Sequence, residues 1–175
     1  MDHARHIPAV RLRAVEPSDA DFMYEMENDS DCRRYSDTVA PLSRRQLRDY
    51  ALNYDADPFA ARQLRLVIVE AESGAPAGAV DLYDISPLHR HAMVGIYILP
   101  HFRRRGLALE ALTQAAAYAH EALHLRILAA RIEDSNAPSL RLFSKGGYTL
   151  TPAIPGWFAT PSGSRRDLTI AFLPL

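Results

Sequence analysis

The stretch AMVGIYILPHFRRRGLALEALTQAAAYAHEA, residues 92–122, decides the fold. Met93 to Leu99 is a short run rich in Val and Ile, with the length and composition of a buried strand. Pro100 ends it. Arg103-Arg104-Arg105-Gly106-Leu107-Ala108 predicts a turn, and a helix follows at once. Its apolar positions 108, 111, 112, 115, 118, 119 and 122 recur along one helical face. A strand, a basic glycine-bearing turn and a helix together form a device for holding phosphate. The first N–H groups of a helix lack intrahelical partners, and the helix dipole favours an anion there. Gly106 lets the backbone come close to a ligand, and three arginines add charge-assisted hydrogen bonds.

The whole chain, 175 residues, has the size of one domain, spanning 1–175. About half its residues are apolar (48%) and its net charge is −1, which argues against a disordered chain and against a nucleic-acid partner. Cys32 is the only cysteine, so there is no internal disulfide and no cysteine-based metal cluster; a reducing, cytoplasmic setting fits. No apolar run approaches the roughly 18 residues needed to cross a membrane, and Met1-Asp2-His3-Ala4-Arg5-His6 lacks the apolar core of a signal peptide. No metal is expected.

Val10 to Val15 alternates apolar and basic residues and predicts a half-buried strand. Ser18 or Asp19 can cap a helix that runs to about Glu27 and buries Phe22, Met23 and Met26. From Glu16 to Asp37 there are eight acids (Glu16, Asp19, Asp21, Glu25, Glu27, Asp29, Asp31, Asp37) against Arg33 and Arg34. This is either a solvated surface helix or a negative rim that attracts a cation. Ser43 is the expected N-cap of a helix carrying Leu47, Tyr50, Ala51 and Tyr54, which ends over Asp55 to Pro58. Leu64–Ala71, Ala77–Ile85 and the central strand predict an antiparallel meander with short connections. Arg126–Ile132 should lie parallel to the central strand, with the intervening helix as crossover. A second helix opens at Ser135 or Asn136 and closes at Lys145-Gly146-Gly147. Tyr148 begins a strand, Pro155–Ser164 predicts an irregular hairpin connection containing Trp157 and Phe158, and Asp167–Leu173 is the last strand.

Arg103-x-x-Gly106-x-Ala108 resembles the R/Q-x-x-G-x-G/A motif of the GNAT superfamily of N-acetyltransferases. Asn136-x-x-Ser139-x-x-x-Phe143-x-x-x-Gly147-Tyr148 resembles the pattern of that family's last helix, and the element order matches throughout. The resemblance implies an α+β fold of three layers: a mostly antiparallel mixed sheet of six to seven strands with a V-shaped opening, flanked by helices. It implies acetyl-CoA as co-substrate. Backbone groups of Ile96, Tyr97 and Ile98 would pair with the pantetheine arm, one amide polarising the thioester carbonyl. Arg103, Arg104, Arg105, Gly106, Leu107 and Ala108 would wrap the pyrophosphate. Asn136 matches an asparagine that hydrogen-bonds the cofactor and is equally a helix cap, and Phe143 stands near the thiol. A homodimer through the terminal strands is common among such relatives.

The reaction implied is direct attack of a primary amine on the thioester, which needs a neutral amine and a proton for the departing thiolate. Two positions depart from the family pattern. Met93 stands where many members have a glutamate base, and Phe143 where many have a tyrosine acid. Replacement candidates are the carboxylates of Asp81 and Asp84 and the hydroxyls of Tyr83 and Tyr97, of which Asp81 and Tyr97 are preferred as catalytic residues, Asp81 being alternatively a structural hydrogen-bonding group. His89 and His91 sit on a connecting loop and read as surface residues.

Residues 78–92 resemble bacterial spermidine/polyamine N-acetyltransferases, with Asp81 and Asp84 matching two acids of the third strand and His89-Arg90 a following pair. The acceptor side would then comprise Glu27, Asp29, Asp31, Asp81 and Asp84, and the acceptor would be a small polycationic amine. Two other readings are a ribosomal-protein-type N-terminal acetyltransferase and a non-catalytic acyl-CoA-binding domain.

Overall fold

A computed structural model describes residues 9–36, 38–54, 57–160 and 162–175. Asp37, at the end of the acidic segment, Asp55, at the expected end of the second helix, and the N-terminal hexapeptide lie outside the described residues. The sheet has eight strands: β1 (Val10–Ala14), β2 (Gln63–Glu70), β3 (Pro76–Ser86), β4 (His91–Ile98), β5 (Ile127–Glu133), β6 (Thr149–Leu150), β7 (Ile154–Ala159) and β8 (Arg165–Pro174). Their order is β1-β2-β3-β4-β5-β8-β6, with β7 also on β8. All pairings are antiparallel except β4 with β5.

The eighth strand is β7, which forms where the sequence predicted an irregular connection. Asp167 Oδ1 accepts the Gly156 N–H at 2.9 Å, and the Arg165 Nε donates to the Gly156 carbonyl at 2.6 Å. These bonds carry the chain over a register break between Ile154 and Phe158, which is why the alternation was hard to see in the sequence.

Helix α1 (Ala20–Asn28) and helix α3 (Arg44–Leu52) cover one sheet face, where Met23, Leu47 and Ala51 pack on Val15, Val67 and Val69. Between them runs α2 (Ser30–Arg34), and α4 (Pro58–Ala61) precedes β2. Neither short helix was anticipated, although each has a cap visible in the sequence. Asp29 accepts the Asp31 and Cys32 amides, and Asp57 those of Phe59 and Ala60. Ser43 caps α3 as expected, in a capping box with Gln46.

The other face carries α5 (Leu107–Glu121) and α6 (Ala137–Lys145). Leu107, Ala111, Leu112, Ala115 and Ala119 form the buried stripe of α5. The expected stripe included 118 and 122 instead of 107; Tyr118 and Ala122 are exposed, because the helix turns its alanine side to the sheet. The crossover β4-α5-β5 joins the one parallel pair. That pairing lasts only three residues, His91↔Ile127 to Met93↔Ala129. Beyond it β4 stays on β3 and β5 turns to β8, so the two strands part.

Candidate active site

The parting of β4 and β5 leaves one edge of β4 without a strand neighbour from Val94 to Ile98. Leu99 N–H bonds the Ala77 carbonyl on the β3 side. Alternation along the antiparallel ladder therefore turns the backbone groups of Ile98 and Ile96 away from β3, into the opening. Tyr97, the third expected pantetheine position, points its main chain to β3 and its side chain towards α1 and α2.

At the mouth of the opening the chain turns through Pro100–Phe102, a 3₁₀ turn, into α5. Arg104 and Gly106 both have left-handed backbones, φ 62° and 80°. Such alternation points successive amides into one concavity. Among the described residues, the amides of 104–109 have no hydrogen-bond acceptor, and nothing lies within 4 Å of where a Gly106 Cβ would stand. A phosphate fits these groups: an unpaired helix N-terminus, a concave run of amides and one cationic side chain. That side chain is Arg104, which is exposed.

Arg103 and Arg105, expected to serve the pyrophosphate through their side chains, are committed elsewhere. The Arg105 guanidinium pairs with Glu70, a carboxylate only 5% exposed that also accepts the Ser73 hydroxyl at 2.5 Å. Arg103 donates through Nε to the Ile98 carbonyl at 2.9 Å and through Nη1 to Asp31 at 2.7 Å, and its Nη2 lies 4.0 Å from Asp29. Buried or nearby carboxylates outbid open solvent for these cations, and the loop is tied to β2 and α2 as a result. Leu107 is buried beneath the turn and Ala108 half-buried, so both contribute backbone only.

Asn136 caps α6, its Oδ1 accepting the Ser139 amide at 3.2 Å. Phe143 is 2% exposed and packs edge-on against Tyr148, with ring centroids 4.9 Å apart. It lies in the core instead of lining the opening, because the stripe of α6 that holds it faces α5 and the sheet.

The acceptor-side acids meet on the α1–α3 face. The register Arg65↔Asp81↔Gly95 puts these residues side by side across β2, β3 and β4. Arg65, a residue that strand alternation alone gave no reason to single out, is the hub. It grips both Asp81 oxygens at 2.8 and 2.9 Å and Glu27 Oε1 at 2.6 Å. The Tyr54 hydroxyl receives the Arg65 amide at 2.5 Å and donates to its carbonyl. Each Asp81 oxygen thus accepts one guanidinium N–H, and the side chain keeps a partly exposed edge (24%). Asp84 does not join the group. It lies beyond the register break after Tyr83, exposed, with a left-handed φ of 50°.

Asp29 and Asp31 come in from α2, beside Tyr97. Burial works against ionisation of Asp29, but hydrogen bonding from Tyr97 and the Cys32 and Asp31 amides, with the Arg103 charge, holds its carboxyl below the usual range. The Tyr97 hydroxyl is buried beside Asp29, and burial together with Asp29 raises its pKa well above that of an ordinary phenol. Cys32 sits in the same cluster, where burial and then Glu27 push its thiol up to about 12, so it is no nucleophile. Four carboxylates (Glu27, Asp29, Asp31, Asp81) thus cluster around two guanidinium groups (Arg65, Arg103), with Arg33 and Arg34 at the far end of α2. His89 and His91 stack with centroids 6.1 Å apart on the β3–β4 hairpin, away from this group.

Among the described residues no helix is long and apolar enough to cross a membrane. The spermidine N(1)-acetyltransferase of Escherichia coli (strain K12) is 28% identical over 142 residues, 81% of this chain and 74% of that protein. The spermidine N-acetyltransferase of Vibrio cholerae, solved with CoA and spermine, superposes with TM-score 0.83 at 22% identity, over 95% of each chain. A dodecameric form of that enzyme superposes with TM-score 0.77 at 22% identity, over 95% of this chain and 94% of that one. The family described as Acetyltransferase (GNAT) domain matches residues 9–149, most of the fold built above, and the chain belongs to that family.

Proposed function

We propose that the protein transfers the acetyl group of acetyl-CoA to a primary amine of a small polycation of the spermidine and spermine class. The observation that carries the acceptor class is the gathering of four carboxylates, Glu27, Asp29, Asp31 and Asp81, on the α1–α3 face beside the β4 edge. The 28% identity to a spermidine N(1)-acetyltransferase supports it.

Acetyl-CoA supplies an activated thioester. The chain's own groups do the rest. Ile96 and Ile98 offer backbone groups to the pantetheine arm, and an amide there stabilises charge developing on the thioester oxygen. The amides of 104–109 and the Arg104 side chain receive the pyrophosphate. Glu27, Asp29 and Asp31 hold ammonium groups of the acceptor, with Arg65 fixing Glu27 and Asp81 in place. The amine nitrogen bonds to the carbonyl carbon, the carbon–sulfur bond breaks, the amine proton goes to water and the thiolate takes one back. Tyr97, with its raised pKa, orients by hydrogen bonding instead of donating this proton.

With Met93 at the usual base position and the Asp81 carboxylate stabilised as an anion by Arg65, and so a weak base, deprotonation is assigned to solvent. Asp29 stays ionised and Tyr97 protonated through the neutral range, because one pKa is lowered and the other raised. The value of kcat/KM is therefore expected to climb about tenfold per pH unit between about pH 6 and 9, following the free-amine fraction. A plateau near neutrality would instead reveal a protein base. The acceptor class is tested by salt. KM for spermine should rise several-fold between about 0.05 and 0.5 M salt, as screening weakens the face. KM for a simple monoamine should barely change. Equal responses for both would contradict the proposal.

A further inference from the structure

Arg103 touches both the cofactor side and the acceptor side. Its Nε bonds the Ile98 carbonyl on the free edge of β4, where the pantetheine arm is placed above. Its Nη1 bonds Asp31, and its Nη2 approaches Asp29, on the acceptor side. The guanidinium lies 5.3 Å from the centroid of the Tyr97 ring, whose hydroxyl stands beside Asp29. One planar fork thus spans β4, α2 and the loop that opens α5. The side chain is 35% exposed and Asp31 56%, so the fork can leave Asp31 without unpacking the core.

We propose that Arg103 is a positioning residue linking the two substrates: when Asp31 is neutralised, the guanidinium is released and coenzyme A binds more tightly. The inference rests on the polyamine reading for its biological trigger, since an ammonium group at Asp29 and Asp31 replaces the guanidinium charge. A released Arg103 frees the Ile98 carbonyl for the cofactor and can turn to the phosphates at the mouth of the same loop. Linkage is reciprocal, so a bound cofactor that draws Arg103 away exposes the two carboxylates to the amine by the same factor. Ammonium and cofactor therefore favour each other's binding, and the ternary complex assembles without new contacts between them.

The test is a double-mutant cycle on the coenzyme A dissociation constant, measured by calorimetry with no amine present. Asp31→Asn should tighten coenzyme A about threefold, the scale of a partly exposed ion pair. In an Arg103→Gln background the same Asp31→Asn change should have no effect. Arg103→Lys keeps the charge but cannot bridge Ile98 and Asp31, so it should behave as Arg103→Gln does in the cycle. An equal shift in all backgrounds would reduce the effect to the charge of Asp31 alone and overturn the proposal. So would an Asp31→Asn protein whose affinity is unchanged or weaker. Both positions are partly exposed, and thermal melts of each variant establish that the fold is kept. Because no amine enters the cycle, its failure is distinct from failure of the polyamine reading, which is decided by acetyl transfer.

Discussion

Replacing Arg65 by methionine is expected to cost about 3–5 kcal/mol of stability near neutral pH, the scale seen when one partner of a buried ion pair is removed. The side chain of Arg65 is 13% exposed, and those of Glu27 and Asp81 are 11% and 24% exposed. Methionine fills most of the volume but leaves two carboxylates facing each other across the space the guanidinium occupied. Urea midpoints of the two proteins measure the cost. A loss below about 1 kcal/mol, as for a surface pair, would show that Arg65 is not the hub described.

The second large effect is expected at Gly78. A Cβ there would drive into the Tyr97 carbonyl oxygen and stand 3.0 Å from the Ile98 Cα, both main-chain atoms that have no rotamer to escape to. Gly78↔Ile98 is a pairing of β3 with the free-edge half of β4. Gly78→Ala must push that half of β4 aside, at a cost of about 1–3 kcal/mol. The displaced residues are the ones that present Ile96 and Ile98 to the cofactor, so coenzyme A affinity should fall about tenfold or more, the equivalent of about 1.4 kcal/mol. Gly95→Ala is the control: its Cβ would meet only the Tyr83 ring, at 3.7 Å. A calorimetric titration in which the two variants bind coenzyme A alike would contradict this account.

Strand 91–98, the turn at Gly106 and helix 107–121 were legible because each follows from local pattern: a Val/Ile run, a proline stop and apolar 3.6-residue spacing. The caps at Ser43 and Asn136 were legible for the same reason. What the sequence concealed depends on partners far along the chain. Arg103 lies 72 residues from Asp31, and Arg65 lies 38 from Glu27 and 16 from Asp81. Three arginines in a row therefore looked like three phosphate ligands, while two of them hold carboxylates. The pairing of Asp81 with Arg65 across the strands was not visible along the chain, and Asp84 looked like its companion until the register break separated them. Phe143 belongs to the core for a similar reason: its helix is oriented by α5, which spacing within α6 does not reveal.

The most direct test is release of free thiol from acetyl-CoA with spermidine, spermine, putrescine and N-terminal peptides offered separately. The account predicts release with the polyamines, fastest with the longer ones, whose extra ammonium groups can reach Glu27, Asp29 and Asp31 together, and none above background with the peptides. Release with peptides alone, or none with any amine from a protein that binds coenzyme A, would contradict it.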